Sequence, residues 1–249
     1  MISPTFKLSG LNGVIKSLER ADKQIRFAVA KSLTQTAKAV QSDMTVEMKK
    51  QFDRPAPYTL RSSFVKPATR FNLTAVVGIK DMSPSKASAS PAELLGHQFL
   101  GGRRIRKSLE NYLAKAGFLS SGEFVVPGAG ARFDQFGNMS RGQVQQIISQ
   151  LHLGLDPYSW ASKSRRSQQN VKKAGRIFWS RGSARSAHLP RGAWIDMGGS
   201  VGIRPLLIVV KRPSYRQRID FDKAAAASIK RHWDRIFEAA LAHAFATAR

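Results

Sequence analysis

Apolar residues recur at steps of three and four, or multiples of these, through the first fifth of the chain. This spacing predicts an amphipathic helix over about residues 11–52. No proline interrupts this segment, and Gly13 is its last glycine. The apolar positions are Ile15, Leu18, Ile25, Val29, Leu33, Val40, Met44, Met48 and Phe52. A continuous helix of this size spans roughly 60 Å. It therefore either breaks, near Thr34-Gln35-Thr36, or projects and packs on a neighbouring subunit.

Shorter elements follow once Pro55 and Pro57 end the helix. Short apolar runs bounded by turn residues predict strands at 63–68, 73–80, 123–126, 176–180, 193–197 and 203–210. Short helices are predicted at 92–100, 107–116 and 143–153. The segments 83–91 and 157–175 are predicted to be loops, the first because of its small residues and the second because of its charge.

A second long helix is predicted at about 221–248, near the end of the sequence. Its apolar stripe consists of Ile229, Trp233, Ile236, Phe237, Leu241 and Phe245, and its many alanines permit close packing. The order of elements predicts an α+β fold, in which the N-terminal and C-terminal helices pack on a mainly antiparallel sheet. We expect one domain over residues 1–249, with a loop-rich insertion at about 83–175.

Charge changes this picture of an ordinary folded chain. Forty-one Lys and Arg stand against sixteen Asp and Glu, which leaves a formal charge of +25. Such an excess favours a polyanionic partner: DNA, RNA or an acidic protein surface. The chain has no cysteine, which excludes disulfides and thiolate sites, and no apolar run long enough to predict a membrane span.

The positive charge is concentrated in two places. No acid occurs between Pro157 and Ile195. The cations predicted to face DNA or an acidic partner are Arg103, Arg104, Arg106 and Lys107 in the first cluster, and Lys163, Arg165, Arg166, Lys172 and Lys173 in the second. The alternative is a solvated loop. Phe178 and Trp179 beside the second cluster are expected to pack rather than to stack on bases.

Catalytic chemistry has little support in the sequence. Asp220 and Asp222 stand before the last helix, where carboxylates cap and balance the dipole. Glu93 and His97 lie four residues apart, but no second histidine accompanies them. We therefore expect no enzyme activity, no cofactor and no metal site.

Four segments together resemble the minor tail protein Z family of tailed bacteriophages, which is related in role to tail-completion and head–tail joining proteins. The segments are FDRPAPYTLRSSFVKPAT from Phe52, GGRRIRKSLENYL from Gly101, VVPGAGARFDQFGNMSRGQVQQIISQL from Val125 and LLIVVKRPSYRQRIDF from Leu206. The matching positions are turn and packing residues: Pro57, Thr59, Gly101, Gly102, Asp134, Gly137, Asn138, Pro213 and Tyr215. Among them, Asp134 and Asn138 are expected to bond local backbone.

The resemblance implies a structural virion protein that completes the head-proximal end of the tail, joins it to the head and lines or flanks the DNA channel. It implies a homo-oligomeric ring, commonly sixfold, in contact with neck, tail-terminator or connector proteins and with genomic DNA. The implied location is the virion, after assembly in the host cytoplasm. On this interpretation the helix stripes supply subunit contacts, through Leu18, Ile25, Val29, Leu33, Val40, Trp233, Phe237 and Phe245. The alternative function is that of a free, non-specific DNA-binding protein.

Overall fold

A computed structural model describes residues 23–82, 89–153, 164–182 and 188–247. The described residues divide into two compact units: those up to residue 102 together with those from 215 onward, and those within 103–214. The helices are α1 (Lys23–Gln51), α2 (Pro57–Leu60), α3 (Pro91–Leu100), α4 (Ser108–Lys115), α5 (Arg141–Gln150), α6 (Arg165–Ala174) and α7 (Phe221–Thr247). The strands are β1 (Ser63–Lys66), β2 (Val76–Ile79), β3 (Gly102–Arg103), β4 (Glu123–Pro127), β5 (Arg176–Ser180), β6 (Gly192–Asp196), β7 (Ile203–Lys211) and β8 (Ser214–Tyr215).

The predicted α+β class is confirmed, with long helices near both ends and antiparallel sheets between them. Strands β1 and β2, which correspond to the predicted strands at 63–68 and 73–80, pair antiparallel. The four-stranded sheet has the order β4-β7-β6-β5, and its neighbouring strands pair antiparallel. Strands β3 and β8 form a further two-stranded pairing that the sequence patterns did not predict.

The first long helix is unbroken over Lys23–Gln51; the predicted part at 11–22 lies outside the described residues. Its polar Thr34 does not interrupt it, because the hydroxyl donates to the Ala30 carbonyl one turn earlier and accepts the Ala68 N–H. The helix packs on α7 of the same chain. The expected break is therefore wrong for this part of the helix, whereas packing on a neighbouring subunit stays a prediction.

Alanines allow α1 and α7 to approach closely. Ala28 packs with Ala240 and Ala244, near the start of one helix and the end of the other, so the two helices run antiparallel. Further along α1, Val40, Met44 and Met48 meet β2, Phe99 of α3 and Phe221 of α7 in a buried cluster. The α1 stripe positions Val40, Met44 and Met48 thus lie in an intrachain core.

A second core lies in the unit of residues 103–214. Leu113 of α4 and Ile147 of α5 are fully buried against Leu206 and Leu207 of β7 and Ile195 of β6. Since β5, β6 and β7 complete the sheet that β4 begins, this unit runs to residue 214 and not to the end of the predicted insertion at 175. The prediction of one domain stays a prediction, because two compact units can unfold as one cooperative domain.

One charged cluster ties the two long helices together. The Asp43 carboxylate of α1 accepts hydrogen bonds from the Ser228 hydroxyl at 2.7 Å and the Arg231 guanidinium at 3.2 Å, both on α7. It also lies 3.1 Å from Nε2 of His232. Desolvation raises the pKa of Asp43, but the bonds from Ser228 and His232 and the charges of His232 and Arg231 outweigh it, so the pKa is lowered.

The lowered pKa predicts a pH-dependent contribution from Asp43. A carboxylate with a depressed folded pKa stabilises the fold above its unfolded pKa, about 3.9, and loses that effect as the pH falls through the folded pKa. We expect Asp43→Asn to destabilise the protein by about 1 kcal/mol at neutral pH, the size of one hydrogen bond. The difference from wild type should shrink below about pH 4. Urea unfolding across a pH series measures it, with the exposed Asp81→Asn as the control. A difference that does not change with pH would contradict this role.

Candidate polyanion interface

Positive charge is most concentrated in the unit of residues 103–214, which contains nineteen Lys and Arg and five Asp and Glu. The described acids of this unit are already engaged. Glu110 and Glu123 pair with Arg104 and Arg191, while Asp134 and Asp196 accept backbone N–H groups. The fifth acid, Asp156, lies outside the described residues. Most exposed cations of the unit therefore have no acidic partner among the described residues.

The second predicted basic cluster forms helix α6, and the prediction of a loop over 157–175 is wrong for Arg165–Ala174. Ser164 caps the helix by accepting the N–H of Ser167. The sequence patterns missed it because only one apolar side chain larger than alanine, Val171, marks its packed face. Predicted cation Lys163 precedes the cap and lies outside the described residues.

The cations of α6 occupy one face. Arg165, Arg166, Lys172 and Lys173 are all exposed. At 100° per residue they fall within an arc of about 120°. The half-buried positions Ser167, Val171 and Ala174 lie on the opposite face. The two pairs of cations are seven residues apart, about 10.5 Å along the axis. The structure therefore brings these four predicted residues together on the exposed face of a helix that itself contains no acid, which we call the basic helix face.

The basic helix face is joined to β5 without a flexible linker. Gly175 has φ +91°, and a Cβ there would lie 2.6 Å from the Met197 sulfur, so the residue between helix and strand must be glycine. The Gln150 side chain of α5 donates to the Gly175 carbonyl and accepts the Ile177 N–H. These bonds hold the end of the helix and the start of the edge strand in one position.

The aromatic residues of β5 pack, as expected from the sequence. Trp179 is half-buried against the core of this unit, with its ring centroid 4.9 Å from that of Phe118. Phe178 is half-buried as well. Neither presents a fully open ring for base stacking, so α6 and its surroundings offer charge rather than an aromatic platform.

The first basic cluster is divided by the structure. Arg103 in β3 and Lys107 before α4 are exposed, and Arg106 is half-buried. The prediction is wrong for Arg104, whose exposed fraction is 8%. The sequence did not predict this burial, because the acidic partner, Glu110, lies in the next helix and nothing in the sequence shows that the two side chains meet.

Arg104 and Glu110 form a bidentate pair, with both N···O distances at 2.6 Å. The pair also closes the outer edge of β4. Glu110 accepts the Val125 N–H at 2.9 Å, and Arg104 lies 3.4 Å from the Val125 carbonyl. The second Glu110 oxygen accepts the Lys107 N–H at the start of α4. One ion pair thus joins the basic segment, a helix and a strand.

The surroundings keep Glu110 ionised. Desolvation raises its pKa, but the hydrogen bonds from Arg104, Val125 and Lys107 and the charge of Arg104 outweigh it, so the pKa lies below its ordinary value. A buried, hydrogen-bonded pair of this kind has a structural role. Arg104 is therefore excluded from the exposed polyanion surface.

The predicted subunit contacts are also corrected in part. Val29, Leu33 and Val40 are buried within one chain, so they are not open to a second copy. Ile25 is half-buried, and Trp233 and Phe237 stack on each other with centroids 5.1 Å apart while remaining half-buried. Leu18 and the side chain of Phe245 lie outside the described residues.

The Asp134 loop behaves as expected. One Asp134 oxygen accepts the N–H groups of Phe136 and Asn138, which closes the turn containing Gly137. The carbonyl of Asn138 accepts the Asp134 N–H. This loop is held by local hydrogen bonds, which is the role predicted for Asp134.

A cavity of about 380 Å³ lies in the other unit, between α1 and α7. Its charged lining mixes acids and bases: Asp43, Glu47, Arg218, Asp220, Lys223 and Arg231. Among the described residues, no group of three or more His, Asp or Glu side chains is placed to hold a metal ion. Within the same ranges, no helix combines the length and apolar character needed to cross a membrane.

No family model, curated protein or solved structure matches this chain.

The Arg104–Glu110 pair yields a stability prediction. Glu110→Leu leaves Arg104 buried without its partner, which costs about 3–5 kcal/mol in comparable buried pairs. Replacing both residues, as Arg104→Met with Glu110→Leu, should recover much of this loss because no charge remains buried. Urea unfolding followed by tryptophan fluorescence is suited to this test, since three of the four tryptophans lie in residues 103–214.

The matched control for this cycle is the exposed pair of positions Arg235 and Glu238 in α7, changed in the same way. A double variant at 104 and 110 whose loss equals the sum of the two single losses would show that the residues do not act as a pair.

Proposed function

We propose that this chain is a structural virion protein of a tailed bacteriophage, a tail-completion or neck component at the head-proximal end of the tail. In this role it joins tail to head and lines or flanks the DNA channel. The proposal starts from the sequence resemblance to minor tail proteins. The structural observation that supports it is the basic helix face, in which four cations lie opposite the packed side of α6.

In a ring of identical subunits, the basic helix faces of several copies would act together on one polyanion. Each copy has a formal charge of +25, and several copies around an axis add their fields. The summed potential attracts a polyanion without reading its sequence, as required of a protein that meets whatever genome end enters the tail. The proposed partners are other copies in a ring, neighbouring neck, tail-terminator or connector proteins, and genomic DNA.

A free, non-specific DNA-binding protein is the second candidate, and the same helix face supports it. Phosphate contacts alone give sequence-independent binding with steep salt dependence. The two functions differ in assembly. The virion role requires a closed oligomer and presence in mature particles, whereas the second requires binding by the single chain. Mass photometry of the purified protein and mass spectrometry of purified particles separate them.

The basic helix face yields a prediction for assembly. We expect Arg165→Gln, Arg166→Gln, Lys172→Gln and Lys173→Gln together to reduce the fraction of tails joined to heads, or of particles that eject their genome, at least tenfold. The reason is that α6 presents these charges to an anionic neighbour. Glutamine retains helix propensity, so α6 should remain folded. Electron microscopy of lysates counts joined particles.

The matched control removes the same charge from the other unit. Lys38, Arg216, Lys230 and Arg235 are exposed there, and their change to Gln should leave joining unaffected. Equal loss in both variants would indicate a dependence on net charge alone. Normal joining and ejection in the α6 variant would contradict the proposed role of the helix face.

A further inference from the structure

Two cations meet at an aromatic ring at the opposite edge of the four-stranded sheet from β5. Phe124 lies on edge strand β4, and the guanidinium carbons of Arg106 and Arg212 are 5.7 and 5.8 Å from its ring centroid. Buried Arg104 is third, at 4.7 Å. Arg212 follows the end of β7, whose pairing with β4 places Val210 opposite Phe124. The fold thus joins cations more than a hundred positions apart in sequence.

The charges of this cluster are compensated unequally. Arg104 is neutralised by Glu110. Arg106 donates to two neutral groups, the backbone carbonyls of Ser120 and Glu123. Arg212 is exposed, and no acidic partner is found for it among the described residues. Among the residues that the structure describes, two of the three guanidinium groups therefore have no paired carboxylate.

The carboxylate on the same strand does not supply the missing charge. Both oxygens of Glu123 bond to Arg191, and one also accepts the Ser120 N–H. These bonds and the charge of Arg191 lower the pKa of Glu123, so its negative charge is held and already shared. Phe124 itself is buried, at 3% exposed, and its ring contacts the guanidinium groups of the cations. An aromatic face attracts each cation but leaves their mutual repulsion in place.

We propose that Arg106 and Arg212 form a phosphate-binding site over the Phe124 ring, and that its ligand is a phosphodiester group of a nucleic acid. Guanidinium groups present planar pairs of N–H donors that match the oxygens of a phosphate. Arg106 is held in place by two backbone carbonyls, so part of the site is fixed before binding. The bound anion offsets the charge that the protein leaves uncompensated.

The positions of the two basic sites, at opposite edges of the four-stranded sheet, favour a long ligand over a small anion. Strand β4 and strand β5, which follows the basic helix face, are the two edges of the sheet and lie three strand spacings apart, about 14 Å. A small anion occupies one edge only, whereas a nucleic-acid backbone presents many phosphates. The inference concerns the isolated protein and does not depend on a role in a virion.

The test is the salt dependence of DNA binding by the purified full chain. Fluorescence anisotropy with a labelled duplex of random sequence, repeated over a series of KCl concentrations, gives the slope of log K against log salt. We expect Arg212→Gln to reduce the magnitude of the slope by about 0.9, the change for one lost phosphate contact. The Arg106→Gln, Arg212→Gln double variant should reduce it by the same amount, because both arginines bind one phosphodiester group. Arg141→Gln removes the same charge from an exposed position in α5 and should leave the slope unchanged.

Arg212→Gln is the decisive variant, because exposed Arg212 holds no described element in place whereas Arg106 bonds two carbonyls. Circular dichroism melting identifies any double variant that fails to fold. A wild-type slope in Arg212→Gln overturns the proposal, as does a wild-type protein that does not bind the duplex at low salt.

Inorganic phosphate, compared with chloride at equal ionic strength, distinguishes the two sources of this chemistry. If phosphate displaces the duplex from wild type but not from Arg212→Gln, the site also takes the free ion. If phosphate and chloride act alike while the Arg212→Gln slope change remains, the site is specific for the nucleic-acid backbone. Either result supports the site itself, and phage assembly is not involved in the measurement.

Discussion

The ion pair between Arg104 and Glu110 determines how the basic segment of this protein is used. An edge strand exposes unpaired backbone groups, and a buried charge requires a partner. The pair meets both requirements, since Glu110 accepts the Val125 N–H and Arg104 lies beside the Val125 carbonyl. As a result α4 and β4 are joined, and Arg106 is placed over Phe124. Without the pair, Arg104 and the Lys107 N–H would lose the carboxylate that holds them.

The remaining cations follow from a simple imbalance. The described acids of residues 103–214 are used in pairs and turns, while the basic helix face keeps four exposed charges. Exposed lysines and arginines are well solvated and do not by themselves demand a ligand. Their arrangement is the stronger evidence for a ligand. The four cations form a stripe on one side of α6, opposite its packed face, and so concentrate positive electrostatic potential along the helix. That arrangement is the physical basis of the proposed function.

Much of the fold was predictable because the long elements have strong periodicity. Helix α7 and the strands at 176–180, 192–196 and 203–211 agree with the prediction to within one or two residues. Helix α6 was missed because seven of its ten residues are exposed and polar, so no apolar period marks it.

The candidate site was predictable only in part, namely in the position of its basic residues along the sequence. The stretch of charge was visible, but the burial of Arg104 and the approach of Arg212 depend on contacts distant in sequence. Likewise, the apolar stripe of α1 predicted burial correctly but could not show that α7 of the same chain would cover it.

The side chain of Gln150 has a consequence for how copies of this chain can associate. Its amide bonds to the backbone at Gly175 and Ile177, where a neighbouring strand would otherwise add to β5, and the Glu110 carboxylate does the same at Val125 on β4. Both margins of the sheet are therefore occupied at these points by side chains of the chain itself. Neighbouring molecules cannot extend the sheet there into a continuous β-structure without first displacing them. The same feature guards against uncontrolled fibre growth through these two edges.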